Sequence, residues 1–326
     1  MEGPASGVTR SSFKLYIATS LAGGFTTSVL GRLDAERGFP ASNEGFKGGG
    51  PESRWSVYGD VNYGSGNLER QFLAAGYDYD AIGGMVGAEY RVNPRLLVGG
   101  MFGYSTSTVS LGVQNAHDHI DSYQLAGYGS FTGANLFSDA LIAYGRHDYT
   151  LDREGVIDLV HGSTSANTFT AAARAGYLLD AGPVRVGPIA GLNYTLADIQ
   201  GYTETGDSLL TMMVNEQNVD SLTGDAGLQM RFPFELWGDL YSPFINVTAE
   251  QDLLGSSRMI TTTQVTAPLL PVLTPVPGEG GTYGKIAAGV AARIGRTVSA
   301  TANAETTFAR DGGNGLVVSG GIKIGL

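Results

Sequence analysis

Cysteine is absent from the 326 residues, which removes disulfide scaffolds, thiolate zinc sites and cysteine nucleophiles together. Charge is sparse: Asp, Glu, Lys and Arg make up 16 % of the chain, against about 25 % in ordinary soluble domains. There is no run of 18 uncharged apolar residues of the kind a spanning helix requires. The best candidate, residues 15–30, is interrupted by Thr, Ser and the pair Gly23-Gly24. Basic residues are few and scattered, 20 against 31 acidic, so the net charge of −11 leaves no footprint for nucleic acid. Met1 to Gly7 has no basic stretch leading into an apolar core, which reads as internal sequence rather than a secretory signal.

What is present in excess is glycine, 49 residues, and apolar and polar residues balance at a mean hydropathy of 0.00 although 42 % of the chain is hydrophobic. Balance at that content means interleaving, and interleaving at period two means strands. In Leu222, Gly224, Ala226, Leu228, Met230 and Phe232 one parity is apolar or glycine, while Ser221, Thr223, Asp225, Gln229 and Arg231 fall on the other. The same split recurs in Val298, Ala300, Ala302 and Ala304 against Ser299, Thr301, Asn303 and Glu305. Twelve such segments follow from Arg54 onward: 55–63, 77–92, 95–109, 119–131, 135–149, 167–179, 184–198, 218–232, 241–252, 283–294, 297–309 and 315–326. Many match the ~9–11 residues with which a tilted strand crosses a bilayer.

The connections alternate in length. Asn93-Pro94, 132–135, 180–183 and Gly295-Arg296 are tight, whereas 110–118, 150–166, 199–217 and 253–282 are long. Pro233–Asp239 and 311–314 depart from the alternation. One rim of turns and one of loops is the plan of an outer-membrane barrel. A soluble β-sandwich or solenoid would also alternate, but its buried face would be rich in Leu, Ile and Phe. The expectation is an all-β fold: a 12-stranded antiparallel transmembrane β-barrel. Trp55, Tyr58, Tyr63, Tyr90, Tyr104, Tyr128, Phe131, Tyr144, Tyr177, Tyr194, Phe232 and Tyr241 fall near strand ends, where interfacial girdles lie. The charged residues Glu89, Arg91, Arg174, Arg185, Asp225, Arg231, Glu250, Lys285, Arg293 and Glu305 are candidates to line the lumen.

Residues 10–53 do not alternate. Phe25 to Arg37 reads as a helix ended by Gly38, with Val29, Leu30 and Leu33 apolar and Arg32, Asp34 and Glu36 charged. It is too short and too charged for lipid, so it is placed in the pore, a tail outside the barrel being the alternative. Phe39 to Ser53 reads as a linker or plug. The resulting division is 1–24 as a remnant of an upstream segment, 25–53 as pore helix and linker, and 54–326 as barrel.

Candidate chemistry is thin. Gly206-Asp207-Ser208-Leu209 spells an esterase signature and Asp158-Leu159-Val160-His161 resembles its companion element, but the Asp and His precede the Ser and both lie in expected loops. His117-Asp118-His119 is a lone H-x-H on an expected loop with no further ligand at useful spacing. Asp78, Asp80, Glu89 and Arg91 could line the lumen and pair across it. No catalytic, cofactor or metal residue is assigned.

Ser319, Gly321, Ile324 and Leu326 resemble the C-terminal signal read by the outer-membrane assembly machinery, although an aromatic is commoner at the last position. Such a strand would be read by pairing with the machine's edge. Tyr77-Asp78-Tyr79-Asp80, Gly87-Ala88-Glu89-Tyr90-Arg91, Gly99 to Ser105, Gly201 to Leu209 and Val219-Asp220-Ser221-Leu222, taken in order, resemble the translocator β-domain of the autotransporters, the type V secretion proteins. The resemblance implies a Gram-negative outer-membrane pore without enzymatic activity or cofactor. A helix stays in its lumen after an N-terminal passenger, absent here, has reached the cell surface. Implied partners are outer-membrane lipid and lipopolysaccharide, the β-barrel assembly machinery and the chain's own passenger; the barrel is expected to be a monomer. A porin or adhesin barrel without export, and an outer-membrane esterase or lipase, are the alternatives.

Overall fold

In a computed structural model the described residues are 5–37, 54–69, 76–111, 116–254, 258–266, 269, 271–276, 281–295 and 297–326. Helix α1 (Ala5–Arg37) precedes twelve long antiparallel strands. These are β1 (Trp55–Leu68), β2 (Tyr77–Asn93), β3 (Leu96–Leu111), β4 (Ala116–Thr132), β5 (Leu136–Arg153), β6 (Val160–Tyr177), β7 (Val184–Ile199), β8 (Gln217–Arg231), β9 (Asp239–Asp252), β10 (Thr282–Ile294), β11 (Val298–Phe308) and β12 (Gly315–Gly325). Each pairs with its neighbour in sequence, and β1 pairs with β12 from Ser56↔Gly325 to Gly66↔Gly315, closing the cylinder. Leu326 N–H extends the seam to the Trp55 carbonyl at 2.9 Å.

The outer face carries the apolar parity. Val61, Ile82, Val86, Leu125, Ile142 and Leu228 are each at least 60 % exposed, an arrangement that suits hydrocarbon and not water. Tyrosines mark the upper edge of this band: Tyr63 donates to Asp80 at 2.5 Å, Tyr104 to Asp121 at 2.6 Å and Tyr144 to Asn167 at 2.8 Å. Each ring stands in the apolar zone while its hydroxyl reaches a polar group above it. Among the described residues no helix is long and apolar enough to cross a membrane, and here the strands do so.

Above the tyrosines the strands continue beyond the ends expected from the alternation. β5 runs to Arg153 and β6 begins at Val160, so the connection expected over 150–166 is largely strand. The reason is that outward residues there turn polar, as in His117↔Asp152, while inward ones such as Ile120, Tyr149 and Leu151 are apolar, so the parity that marks the lipid face inverts while the hydrogen-bonded ladder persists. His117 and His119 therefore sit on strand β4, their rings 3.3 Å from Ser110 and 3.2 Å from Thr106. The long connections also hold a small sheet of their own, in which Pro271–Val276, Arg258–Gln264, Met212–Val214 and Tyr202–Thr203 pair in that order. At the opposite rim, the expected link Pro233–Asp239 is a hairpin of Phe234–Leu236 against Asp239–Tyr241.

Helix α1 starts at Ala5, well before the expected Phe25. Gly23-Gly24 and the Ser and Thr residues weaken it as an isolated helix, but burial inside the barrel overrides propensity. Ile17, Ala18 and Leu21 pack with Ile120, Tyr149, Leu151, Ala166, Ala197 and Ile199 near the loop rim, and Phe25, Val29 and Leu33 pack lower down with Tyr58, Met85, Met101 and Tyr128. Its axis thus runs from the loop rim to the turn rim. The expected linker 39–53 lies outside the described residues.

Two inward tyrosines dictate glycine opposite them. A Cβ at Gly87 would stand 2.3 Å from Tyr58 and 2.7 Å from the Gly100 carbonyl, and one at Gly99 would stand 2.4 Å from Tyr128. Tyr58 and Tyr128, expected in the interfacial girdle, instead face inward at 5 % and 6 % exposure. Gly87→Ala should lower barrel stability by roughly 1–3 kcal/mol, through overpacking against a ring that cannot withdraw. The check is the urea midpoint at which the folded, heat-shiftable gel band is lost.

Candidate functional site

The last two turns of α1 meet the barrel wall through a buried charge network. Five cations (Arg32, Arg37, Arg174, Arg231, Lys323) face five carboxylates (Asp34, Glu36, Asp60, Glu89, Asp139). Arg32 lies 2.6 Å from Glu89 on β2, 3.9 Å from Asp60 on β1 and 3.2 Å from Glu36 one turn on. It also donates to the Tyr128 hydroxyl at 2.7 Å, and its guanidinium lies 3.7 Å over the Tyr58 ring. The Tyr128 hydroxyl donates to Glu89 at 2.7 Å. Lys323 on β12 bonds Glu36 and lies 3.2 Å from Glu89.

Asp34, half a turn away, points to the other wall. Arg174 of β6 lies at 2.7 Å, Arg231 of β8 at 2.8 Å, and Asn246 of β9 donates at 2.9 Å. Arg37 braces Asp34 at 2.7 Å and pairs with Asp139 of β5, which also accepts from Ser130 at 2.7 Å. One helix end is thereby tied to strands on every side of the cylinder. Buried ion pairs return little net stability over apolar packing, because desolvation offsets the attraction. Their consequence is geometric: a shift in the helix's height or rotation would strand several charges at once.

Higher up, the helix leaves one side of the lumen open. A cavity of about 160 Å³ lies between Gly23, Thr26, Thr27 and Leu30 and the wall residues Arg174, Asp225, Glu250, Lys285 and Glu305. Lys285 bonds Glu250 and lies 3.5 Å from Glu305, and Thr27 donates to Glu305 at 3.1 Å.

Of the ten wall residues singled out in the sequence, the structure brings Glu89, Arg174 and Arg231 to the helix, and Asp225, Glu250, Lys285 and Glu305 to the cavity. Arg91 and Arg293 lie on the inner parity near Glu36. Arg185 stays at the turn rim, bonded to Asp180 at 2.8 Å and the Ala134 carbonyl at 2.6 Å. Val29 and Leu33 are buried against the wall, with Leu30 partly so. Asp78 and Asp80 are a correction: both are exposed on the outer face, because they share parity with each other and not with Glu89. Asp60, Asp139, Asn246 and Lys323 are helix partners that the sequence did not single out, and Tyr58 and Tyr128 are partners that it placed in the girdle instead. The available signal was their parity, each falling on the face opposite the apolar one.

At the C-terminal strand, Ser319 donates to Asn303 at 3.0 Å on the inner face, while Leu316, Val318, Ile322, Ile324 and Leu326 are exposed outside.

The esterase-like tetrapeptide is used differently. Asp207 accepts backbone N–H bonds from Ile157 at 2.6 Å, Val156 at 2.5 Å, Leu209 at 2.8 Å and Asp158 at 3.4 Å, pinning two loops together. His161 bonds Asp152 at 2.5 Å. The amides, that of Ile157 foremost, hold the Asp207 carboxyl at about 2, below its ordinary 3.8. Because the folded value is depressed, this pin is complete above the unfolded value and is lost only as pH falls through about 2. At neutral pH, Asp207→Asn should therefore speed proteolytic nicking near 154–159, and acidification of the wild type to about pH 4 should not.

A family model described as the autotransporter β-domain matches residues 57–305. Among solved structures, the translocator domain of the autotransporter NalP from Neisseria meningitidis superposes with a TM-score of 0.69 at 18 % identity, covering 84 % of this chain and 89 % of that one. The β-domain of the Bordetella autotransporter Brka gives 0.63 at 16 % identity, covering 84 % of this chain and all of that one. Esterase EstA of Pseudomonas aeruginosa is 22 % identical over 194 residues, 57 % of this chain and 30 % of that protein. The chain thus spans under a third of that relative's length.

Proposed function

From the premise that this chain belongs to the autotransporter β-domain family, we propose that it anchors and exports an N-terminal passenger across the outer membrane of a Gram-negative cell. The observation that carries this is the direction of α1. Ile17, Ala18 and Leu21 pack near the loop rim and its last turns near the turn rim, so the helix points its N-terminal end toward the loop side and its C-terminal end toward the rim where β1 begins. Insertion would proceed through β12, whose Ser319, Gly321, Ile324 and Leu326 carry the assembly signal and whose outer parity is offered for pairing. The passenger crosses as a hairpin before the cylinder closes, its folding outside supplies the driving force, and the helix then occupies the lumen. The barrel acts as a monomer among outer-membrane lipid and lipopolysaccharide, and its role is conduction and anchoring rather than catalysis.

The test is an epitope fused ahead of residue 5, probed with antibody and protease on intact cells. Surface exposure of the epitope is expected. Retention of the epitope on the periplasmic side, with a folded barrel, would overturn the reading. Ester hydrolysis by the purified chain that Ser208→Ala abolishes would favour the enzymatic alternative.

A further inference from the structure

The hairpin between β8 and β9 closes on Trp237-Gly238, with φ of 56° and 84°. Two consecutive left-handed residues make a type I′ turn, a site for Asn-Gly or Asp-Gly, and a bulky ring at such a φ is an outlier. Trp237 is nonetheless there, 90 % exposed, so its ring packs against almost nothing in the chain. The other described tips of this rim, at Pro94-Arg95, Ala134-Asn135, Gly182-Pro183 and Gly295, carry no aromatic ring.

The tip ends a continuous line. Leu228, Met230, Phe232, Phe234 and Leu236 are alternate residues on the outward parity, and Phe232, Phe234 and Leu236 are 38 %, 47 % and 43 % exposed. Phe234 stacks on Tyr241 with ring centroids 5.5 Å apart. The lipid-facing stripe of β8 therefore runs unbroken past the end of the barrel wall and finishes on the tryptophan. Glu235, exposed on the opposite parity, faces Leu240 across the hairpin.

We infer that this hairpin is a membrane anchor, with Trp237 seated among the phospholipid headgroups of the turn-side leaflet. An indole has an apolar body and one N–H donor, which suits that boundary. Lipid is favoured as the occupant because the stripe is continuous with the face that already meets lipid. The anchor stands on the shorter part of the wall: β8 to β12 have 15, 14, 13, 11 and 11 residues, whereas β4, β5 and β6 have 17, 18 and 18. It would fix the height of that side.

The inference rests on the membrane-barrel reading, and one experiment separates the two. Trp55 and Trp237 are the only tryptophans, so Trp55→Phe leaves Trp237 as sole emitter and Trp237→Asn leaves Trp55 on the barrel wall. Both variants are reconstituted in phosphatidylcholine vesicles with and without lipid brominated high on the acyl chain, and probed with aqueous acrylamide. Trp237 should lose about half its emission to brominated lipid and be shielded from acrylamide. Quenching of Trp55 but not of Trp237, with Trp237 open to acrylamide, would overturn the anchor and leave the barrel, freeing the tip for a periplasmic protein. Quenching of neither would overturn both. Trp237→Asn, which suits the turn, should leave thermal stability in detergent unchanged or raised; a fall would mean the ring serves the fold instead.

Discussion

Deleting residues 10–37 should raise single-channel conductance in planar bilayers by on the order of tenfold. Twelve strands spaced ~4.8 Å and tilted ~40° give a backbone radius of about 12 Å, and inward side chains reduce the bore to roughly the 10–12 Å diameter of one helix. The helix therefore occupies nearly all of the cross-section, leaving the side cavity of about 160 Å³. Its removal exposes Asp34's former partners Arg174 and Arg231 to water, where they need no counter-charge, so the cylinder itself should survive. A heat-dependent shift in gel migration confirms that the deleted chain is folded. An unchanged conductance in that folded variant would contradict a plugged pore.

Arg32→Met should destabilise the plugged barrel by about 3–5 kcal/mol, the cost of leaving a buried partner charge uncompensated. Glu89 is 1 % exposed and Asp60 7 %; without the guanidinium Asp60 loses its ion pair with Arg32, and Glu89 is left with Lys323, which also serves Glu36. The double variant Arg32→Met with Glu89→Gln should recover much of the loss, because the orphaned charge is removed with its partner. The measurement is the urea midpoint of the heat-shiftable band across the four-member cycle. Additive losses in the double variant would mean that the pair is not coupled.

The number of strands and their order along the chain were legible because a tilted strand facing lipid must keep one parity apolar, as Leu222 to Phe232 does. The turn rim was legible for a similar reason: its tight connections are built from Gly, Pro and Asn. Strand ends at the loop rim were not, since once past Tyr63, Tyr104 and Tyr144 the apolar parity switches from the outer face to the inner one, as in Tyr149 and Leu151 against Thr150 and Asp152. The helix's true start was hidden by Gly23-Gly24, whose cost is met by packing that only the closed barrel provides. Trp237 escaped notice because its turn breaks the residue preferences that normally reveal a hairpin. Lumen partners were half legible: parity places Glu89 and Arg231 inside, but which of the inward charges meet Arg32 or Asp34 depends on the helix's height, and sequence does not encode height directly.

Helix α1 threads the barrel, and the absence of cysteine allows this to be tested by a single engineered bridge. A Cβ at Gly31 would stand 3.0 Å from the Asn303 side-chain Cγ on β11, close enough for a bridge whose Cβ atoms lie ~3.5–4.5 Å apart. Gly31→Cys with Asn303→Cys, oxidised in membranes and cleaved within 38–53, should retain the helix on the barrel until a reductant releases it. Release of the helix without reductant, with both thiols open to maleimide, would contradict the account.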